Sequence, residues 1–148
     1  EAVEEGDHVT VGDISARILH NPGHTTGAIS FYVNDEAVFT GDTMFGAGCG
    51  RLFEGTPEDM HASLTKICQL PPDTKVYCGH EYTESNLKFA LAAEPDNQAV
   101  KERMNLVVGR GDRPSVPFTI RDELDTNPFV RAGSSEKLGE LRSWKDNF

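Results

Sequence analysis

Three short stretches hold the side chains best suited to chemistry: Asn21-Pro22-Gly23-His24-Thr25-Thr26-Gly27, Thr40-Gly41-Asp42-Thr43 and Cys78-Gly79-His80-Glu81-Tyr82-Thr83. Each sets one metal-ligating residue in a turn-like context after a strand-like run. His24, Asp42 and His80 supply imidazole, carboxylate and imidazole, a set that suits zinc, iron or manganese. A carboxylate can bridge two cations through its two oxygens, and two cations about 3.5–4 Å apart can together orient a water and polarise a carbonyl. Gly23 and Gly27 flank His24, and Gly41 and Gly79 precede the other two, so the backbone can approach closely. Taken singly, a histidine beside glycines is more often a solvated loop residue, and Gly-Asp-Thr is a common turn. Three coincident loops carry more weight. The five histidines sit at 8, 20, 24, 61 and 80, and no two are separated by a single residue. His8 and His61 lack the glycine setting, and His61 reads as solvated. His20 ends a strand and reads as a packing residue, with support of a neighbouring ligand as the alternative.

A second constellation lies near the C-terminus. Arg142 and Lys145 stand at i, i+3 on the last expected helix and so share a face. A guanidinium and an ammonium side by side suit a carboxylate-rich small ligand. Arg51, on the glycine-rich loop, and Tyr82, two residues past His80, can join them. On spacing alone, a solvated basic patch is the preferred reading.

Several elements must position these groups. Val9 to Val11 and Ile14 to Leu19 read as strands, the second from the alternation of Ile14, Ala16 and Ile18 with Ser15 and Arg17. Ala28 to Val33 and Ala37 to Thr40 read as a hairpin turning at Asn34-Asp35. Gly46 to Gly50 reads as a loop. Thr56 at N-cap, Pro57 at N1 and acids in the first turn predict a helix bearing Met60, Leu64, Ile67 and Cys68 on one stripe, stopped by Pro71-Pro72. Lys75 to Cys78 is a strand. Ser85 to Ala93 predicts a helix. A further one is capped at Asp96 or Asn97, with Val100, Met104, Val107 and Val108 on one face. Gly109 to Pro117 is a loop, and a helix opening at Ser134 or Ser135 carries Leu138 and Leu141. The expected division is a mixed β/α part over 1–84 and a helical part over 85–148.

At 148 residues the chain is one domain, or a small domain with an appendage. Its net charge of -10 repels nucleic acid, and no apolar run is long enough to cross a membrane. Three cysteines without CxxC spacing argue against a disulfide framework, and no basic-then-apolar leader opens the chain, so a reducing cytoplasm is expected. The chain begins at Glu1 rather than Met, which is expected of a fragment or a trimmed chain.

The run from Thr40 to Gly55 (Thr-Gly-Asp-Thr-Met-Phe-Gly-Ala-Gly-Cys-Gly-Arg-Leu-Phe-Glu-Gly), the run Val76 to Thr83, the tail Arg142-Ser-Trp-Lys-Asp-Asn-Phe148 and the segment Asn127-Pro128-Phe129 resemble the metallo-β-lactamase superfamily, and specifically bacterial-type glyoxalase II (hydroxyacylglutathione hydrolase). The resemblance covers about Gly6 to Phe148. It implies an α/β fold: the C-terminal half of an αββα sandwich over 1–84, followed by a small helical glutathione-binding tail. It implies hydrolysis of the thioester S-D-lactoylglutathione to D-lactate and glutathione at two divalent metals, zinc foremost, with iron or manganese as alternatives. His24 would hold the first metal, Asp42 would bridge and His80 would hold the second. Arg51, Tyr82, Arg142 and Lys145 match positions that bind glutathione. Phe53 stands where some members carry a glutathione-contacting tyrosine, and lacking the hydroxyl it is not assigned that contact.

The family's His-x-His-x-Asp-His motif, which supplies four further ligands, is not among these residues, and three ligands cannot complete two metal shells. One face of the sheet is expected to lack its partner, to be covered by the other half of the fold or by a second copy. Two alternatives stand beside the hydrolase: a non-catalytic glutathione-binding fragment or module, and a relative resembling glutathione persulfide dioxygenases with one iron.

Overall fold

The computed structural model describes residues 2–148. Its main sheet starts as a meander of β1 (His8–Val11), β2 (Ile14–His20), β3 (Ile29–Val33) and β4 (Ala37–Gly41), each antiparallel to the next. Asn34 and Asp35 turn the β3–β4 hairpin with φ of 49° and 55°, a left-handed backbone that Asn and Asp tolerate better than most residues. The chain then forms a small separate hairpin, β5 (Met44–Phe45) and β6 (Gly48–Cys49), where the sequence predicted a loop. It is hidden in the sequence because glycine dominates it and each strand is only two residues long. Helix α1 (Pro57–Cys68) crosses over to β7 (Lys75–Cys78), which pairs parallel with β4. A short β8 (Phe118–Thr119) completes the order β1-β2-β3-β4-β7-β8.

Local chemistry explains α1. Thr56 accepts from Asp59 N–H while the Asp59 carboxylate accepts from Thr56 N–H, a capping box with Pro57 just inside. The helix ends at Cys68, three residues before Pro71-Pro72, with Gln69 as C-cap. Met60, Leu64 and Ile67 are fully buried and join Tyr32, Val38, Val76 and Phe118 from one sheet face in the main core.

Five further helical elements follow, four α-helices and one 3-10 turn. Helix α2 (Thr83–Ala93) starts two residues earlier than the sequence predicted, directly after the His80 turn. Helix α3 (Gln98–Gly109) is capped by Asn97. Its buried stripe runs through Val100 towards Met104 and Val107 but leaves out Val108, which is 55% exposed. At about 100° per residue Val108 lies some 80° round from Val100, off that face. Helix α4 (Ile120–Thr126), capped by the Thr119–Asp122 box, and a 3-10 turn (Val130–Ala132) were not predicted. Helix α5 (Ser135–Asp146) starts at Ser134, whose side chain accepts from Lys137 N–H, and buries Leu138 and Leu141.

The sheet's other face is uncovered across three strands. Phe31, Phe39 and Tyr77 are paired in register, and Phe39 stacks on Tyr77 at 4.9 Å. Phe31 and Phe39 are exposed, and Tyr77 is half-buried.

Leu64→Ala is expected to cost about 2–5 kcal/mol in urea unfolding. Thr56→Ala, which removes only the cap, is expected to cost about 1 kcal/mol. Equal losses would contradict this division between core and cap.

Candidate metal centre and adjoining cleft

Parallel pairing brings the C-terminal ends of β4 and β7 together, and with them Asp42 and His80. The ladder continues past the strands, with Gly79 N–H donating to Gly41 O at 2.8 Å. A register shift between Phe39 and Gly41, with Gly41 at φ 52°, breaks the strand just before Asp42. His24 arrives from a third direction, on the loop after β2. Gly23 makes that loop possible: its φ is 154°, and a Cβ there would stand 2.8 Å from Met60 Cε of α1. Gly55 N–H donates to Gly23 O at 3.0 Å, and the Glu54 carboxylate accepts from Thr26 N–H and Oγ1. Those two bonds hold the Glu54 carboxyl below its usual range. His20 is exposed, and its Nε2 lies 2.9 Å from Thr26 O, so it braces this loop rather than packing in the core.

His24, Asp42 and His80 form a line with the carboxylate in the middle. Asp42 Oδ2 lies 3.7 Å from His24 Nε2, and Oδ1 lies 3.4 Å from His80 Nε2. Both separations are too long for a good hydrogen bond. They suit two ligands of one ion: atoms each about 2.0–2.1 Å from zinc at a tetrahedral angle stand about 3.4 Å apart. His24 Nδ1 donates to Arg51 O at 2.8 Å, which leaves the Nε2 lone pair facing Asp42. The backbone packs tightly round the carboxylate. A Cβ on Gly79 would stand 2.5 Å from Asp42 Oδ1, and one on Gly50 would stand 2.1 Å from Asp42 O. Among the described residues no three His, Cys, Asp or Glu side chains close on a single point. Each carboxylate oxygen instead faces one imidazole, so the donors pair off two by two. The donor set therefore fits half of a dinuclear centre.

One cleft of about 500 Å³ joins this line to the cationic constellation; Arg51, Tyr82, Arg142 and Lys145 line it together with all three ligand candidates. Tyr82 is exposed and stacks on His80 with ring centroids 5.0 Å apart. Phe53 is 70% exposed and leans on His24 at 5.0 Å. Arg142 is buried and heavily engaged: Nη1 donates to Cys49 O at 2.7 Å, while Nε and Nη2 reach Asp146 Oδ1 at 3.0 and 2.8 Å. Lys145 is half-buried over the Phe89 ring, and its ammonium is held below the usual lysine range by burial, then by Arg142 and Arg51. Arg51 is open to solvent, with Nε 3.8 Å from Asp146 Oδ1. Two guanidinium groups thus share one carboxylate with the Lys145 ammonium nearby, which leaves the cleft locally positive in an acidic protein. On the other side of the line, a shallower cleft of about 410 Å³ is lined by His24, Asp42, Ile29 and Thr40 among others.

Asn86 lines the main cleft, Glu123 and Asn127 hold the β5–β6 hairpin behind it, and none of the three was singled out as a site residue in the sequence. The only signals were the Thr119-x-x-Asp122 capping pattern before Glu123 and the Asn127-Pro128 turn. Cys49, Cys68 and Cys78 are free. Burial pushes the Cys49 thiol up to about 11 and the Cys68 thiol to about 12, so neither is a nucleophile at neutral pH.

Comparison with known proteins agrees with the resemblance read from the sequence. Residues 81–148 match the family described as hydroxyacylglutathione hydrolase C-terminus, and residues 1–80 match the metallo-β-lactamase superfamily. The hydroxyacylglutathione hydrolase of Pelagibacter ubique is 49% identical over 92% of this chain and 58% of its own length. That of Brucella anthropi is 48% identical over 99% of this chain and 63% of its own length. The chain thus spans about three-fifths of the curated relatives it matches. Among solved structures, ETHE1 from Myxococcus xanthus superposes with a TM-score of 0.69 at 29% identity, over 95% of this chain and 50% of that one. A metallo-β-lactamase from Staphylococcus aureus, at TM-score 0.68 and 20% identity over 98% of this chain and 43% of its own, shares the fold.

Gly79→Ala places a methyl group against Asp42 Oδ1. It is expected to lower zinc affinity at least tenfold, the scale of a disturbed ligand support, in competition against a chromophoric chelator. Unchanged affinity would contradict the packing described round the carboxylate.

Proposed function

We infer function from one premise: this chain belongs to the hydroxyacylglutathione hydrolase family of the metallo-β-lactamase superfamily. Membership implies a divalent-metal site. The best-supported reading is hydrolysis of S-D-lactoylglutathione, a 2-hydroxyacyl thioester, to D-lactate and glutathione, which would detoxify methylglyoxal. One observation carries it: a single cleft is lined both by the His24–Asp42–His80 line and by Arg51, Arg142 and Lys145. A substrate with a reacting carbonyl and separate free carboxylates needs both.

In this reading residues 1–84 carry the metal ligands, and residues 85–148 contribute Lys145 and Arg142 to the substrate. His24 and Asp42 would hold one ion, and His80 and Asp42 the other, with zinc the best match to the donors and iron or manganese acceptable. Bound there, the ions would supply Lewis-acid polarisation of the thioester carbonyl and activation of the attacking water. Lys145 and Arg51 bind glutathione carboxylates. Arg142, largely occupied by Cys49 O and Asp146, fixes the wall they act from and adds its charge. Tyr82 offers its hydroxyl at the cleft mouth. Water attacks the carbonyl carbon, the carbon–sulfur bond breaks, and the sulfur leaves as glutathione thiolate.

Three ligands leave both metal shells open. The remaining donors enter by the shallower cleft beside Thr40 and Ile29, carried by polypeptide beyond these residues or by a second copy that also covers Phe31, Phe39 and Tyr77. With three unpaired thiols, the expected compartment is the reducing cytoplasm. Among the described residues, no helix is long and apolar enough to cross a membrane.

The test is thiol release from S-D-lactoylglutathione by the metal-loaded protein that carries these residues. Release should stop with a chelator and fall at least 100-fold in Asp42→Ala. Chelator-resistant release, or none from the loaded protein, would sink the hydrolase reading. Oxygen uptake with glutathione persulfide would favour the dioxygenase instead. Lys145→Ala should raise KM about tenfold with kcat little changed, the pattern of lost uniform binding. A pure kcat loss would place Lys145 in the chemistry rather than in binding.

A further inference from the structure

The hairpin of β5 and β6 is buried, yet strands of two residues each cannot hold a shape unaided. Ala47, between them, sits at φ 57°, a backbone uncommon for a residue with a Cβ. Its surroundings impose this shape one residue at a time. Asn86 Nδ2 on α2 donates to Gly46 O at 3.0 Å. Ala47 N–H donates to Glu123 Oε1 on α4 at 2.8 Å. Asn127 Nδ2 donates to Gly48 O at 3.0 Å, and Arg142 Nη1 on α5 donates to Cys49 O at 2.7 Å. Four successive backbone positions are thus each held by a side chain from the helical region.

The next two positions carry the constraint to the metal line. Gly50 N–H donates to Thr43 O at 3.2 Å, beside Asp42, and Arg51 O accepts from His24 Nδ1 at 2.8 Å. Glu123 is fully buried and pairs with Arg103, while Asn127 Nδ2 also donates to Glu123 at 2.9 Å. A buried ion pair is weak evidence of a stabilising role, since apolar residues of similar volume often serve stability as well. Its contact with Ala47 N–H gives Glu123 another task.

We propose that Glu123, Asn127 and Asn86 are positioning residues for the metal centre: they fix the backbone of 46–48 and, through Gly50 and Arg51, the tautomer and aim of His24. This rests on the reading of His24 as a ligand.

The experiment measures zinc affinity of the protein that carries these residues and the remaining donors, by chelator competition, with thermal unfolding on the same samples. Glu123→Gln keeps an oxygen to accept from Ala47 N–H but leaves Arg103 without its counter-charge. Glu123→Ala removes both. The two should lose stability together and separate in affinity. Gln is expected within about threefold of wild type, and Ala about tenfold weaker. Wild-type affinity in Glu123→Ala overturns the proposal, as does an equal loss in Gln and Ala. Should Glu123→Ala fail to fold, Asn86→Ala removes one clamp at the cleft edge. A loss of about threefold or more then supports the proposal, and no loss overturns it. Wild-type protein carrying these residues and the remaining donors that binds no zinc would refute the metal reading itself and this inference with it; wild-type binding with insensitive variants refutes the inference alone.

Discussion

Asp42 presents one carboxylate oxygen to each of two imidazoles, at 3.4 and 3.7 Å. Holding three such groups on one line, without direct hydrogen bonds among them, requires that each be aimed by something else. Parallel pairing of β4 with β7 delivers Asp42 and His80 from the C-terminal ends of two neighbouring strands, and the hydrogen bond from Gly79 to Gly41 locks their loops together. Gly50 and Gly79 are glycine because a Cβ at either would strike Asp42. His24 is aimed by the Arg51 carbonyl, and so depends on the hairpin before it.

That dependence ties the sheet to the helices. The hairpin carries Cys49 and leads to Arg51, and the side chains that grip it come from α2, α4, the turn after α4, and α5. Arg142 belongs to both halves of the site, since it holds Cys49 O while its charge adds to that of Lys145 and Arg51. The concentrated positive charge stands out against a chain of net charge -10. Burial and two neighbouring guanidinium groups already disfavour the charged form of Lys145. A carboxylate ligand would relieve that repulsion, so an anion is a natural complement to these cations.

Strong local signals made much of this readable from the sequence. Alternation in Ile14–Leu19, the Asn34-Asp35 turn and the Thr56-Pro57 start correspond to β2, the β3–β4 hairpin and α1. The three glycine-flanked loops, read singly as weak ligand signals, converge in space, and all seven residues singled out line one cleft. The long sequence motifs were more specific than any spacing, and they led to the family that the comparisons support. What escaped lacked a local signature. The β5–β6 hairpin is shaped by distant side chains rather than by its glycines. Helix α4 is seven residues long and shows little periodicity. Asn86, Glu123 and Asn127 act on residues 40 to 79 positions away, a separation no local pattern records.

In the proposed function Asp42 is shared between two ion positions, each completed by a different imidazole through Nε2. Zinc titration followed by nitrogen NMR of the histidine rings tests it most directly. The account predicts that zinc shifts Nε2 of both His24 and His80, that His24 Nδ1 keeps its proton to Arg51 O, and that Asp42→Asn weakens both responses. A response at one ring alone, coordination through His24 Nδ1, or two responses indifferent to Asp42→Asn would contradict it.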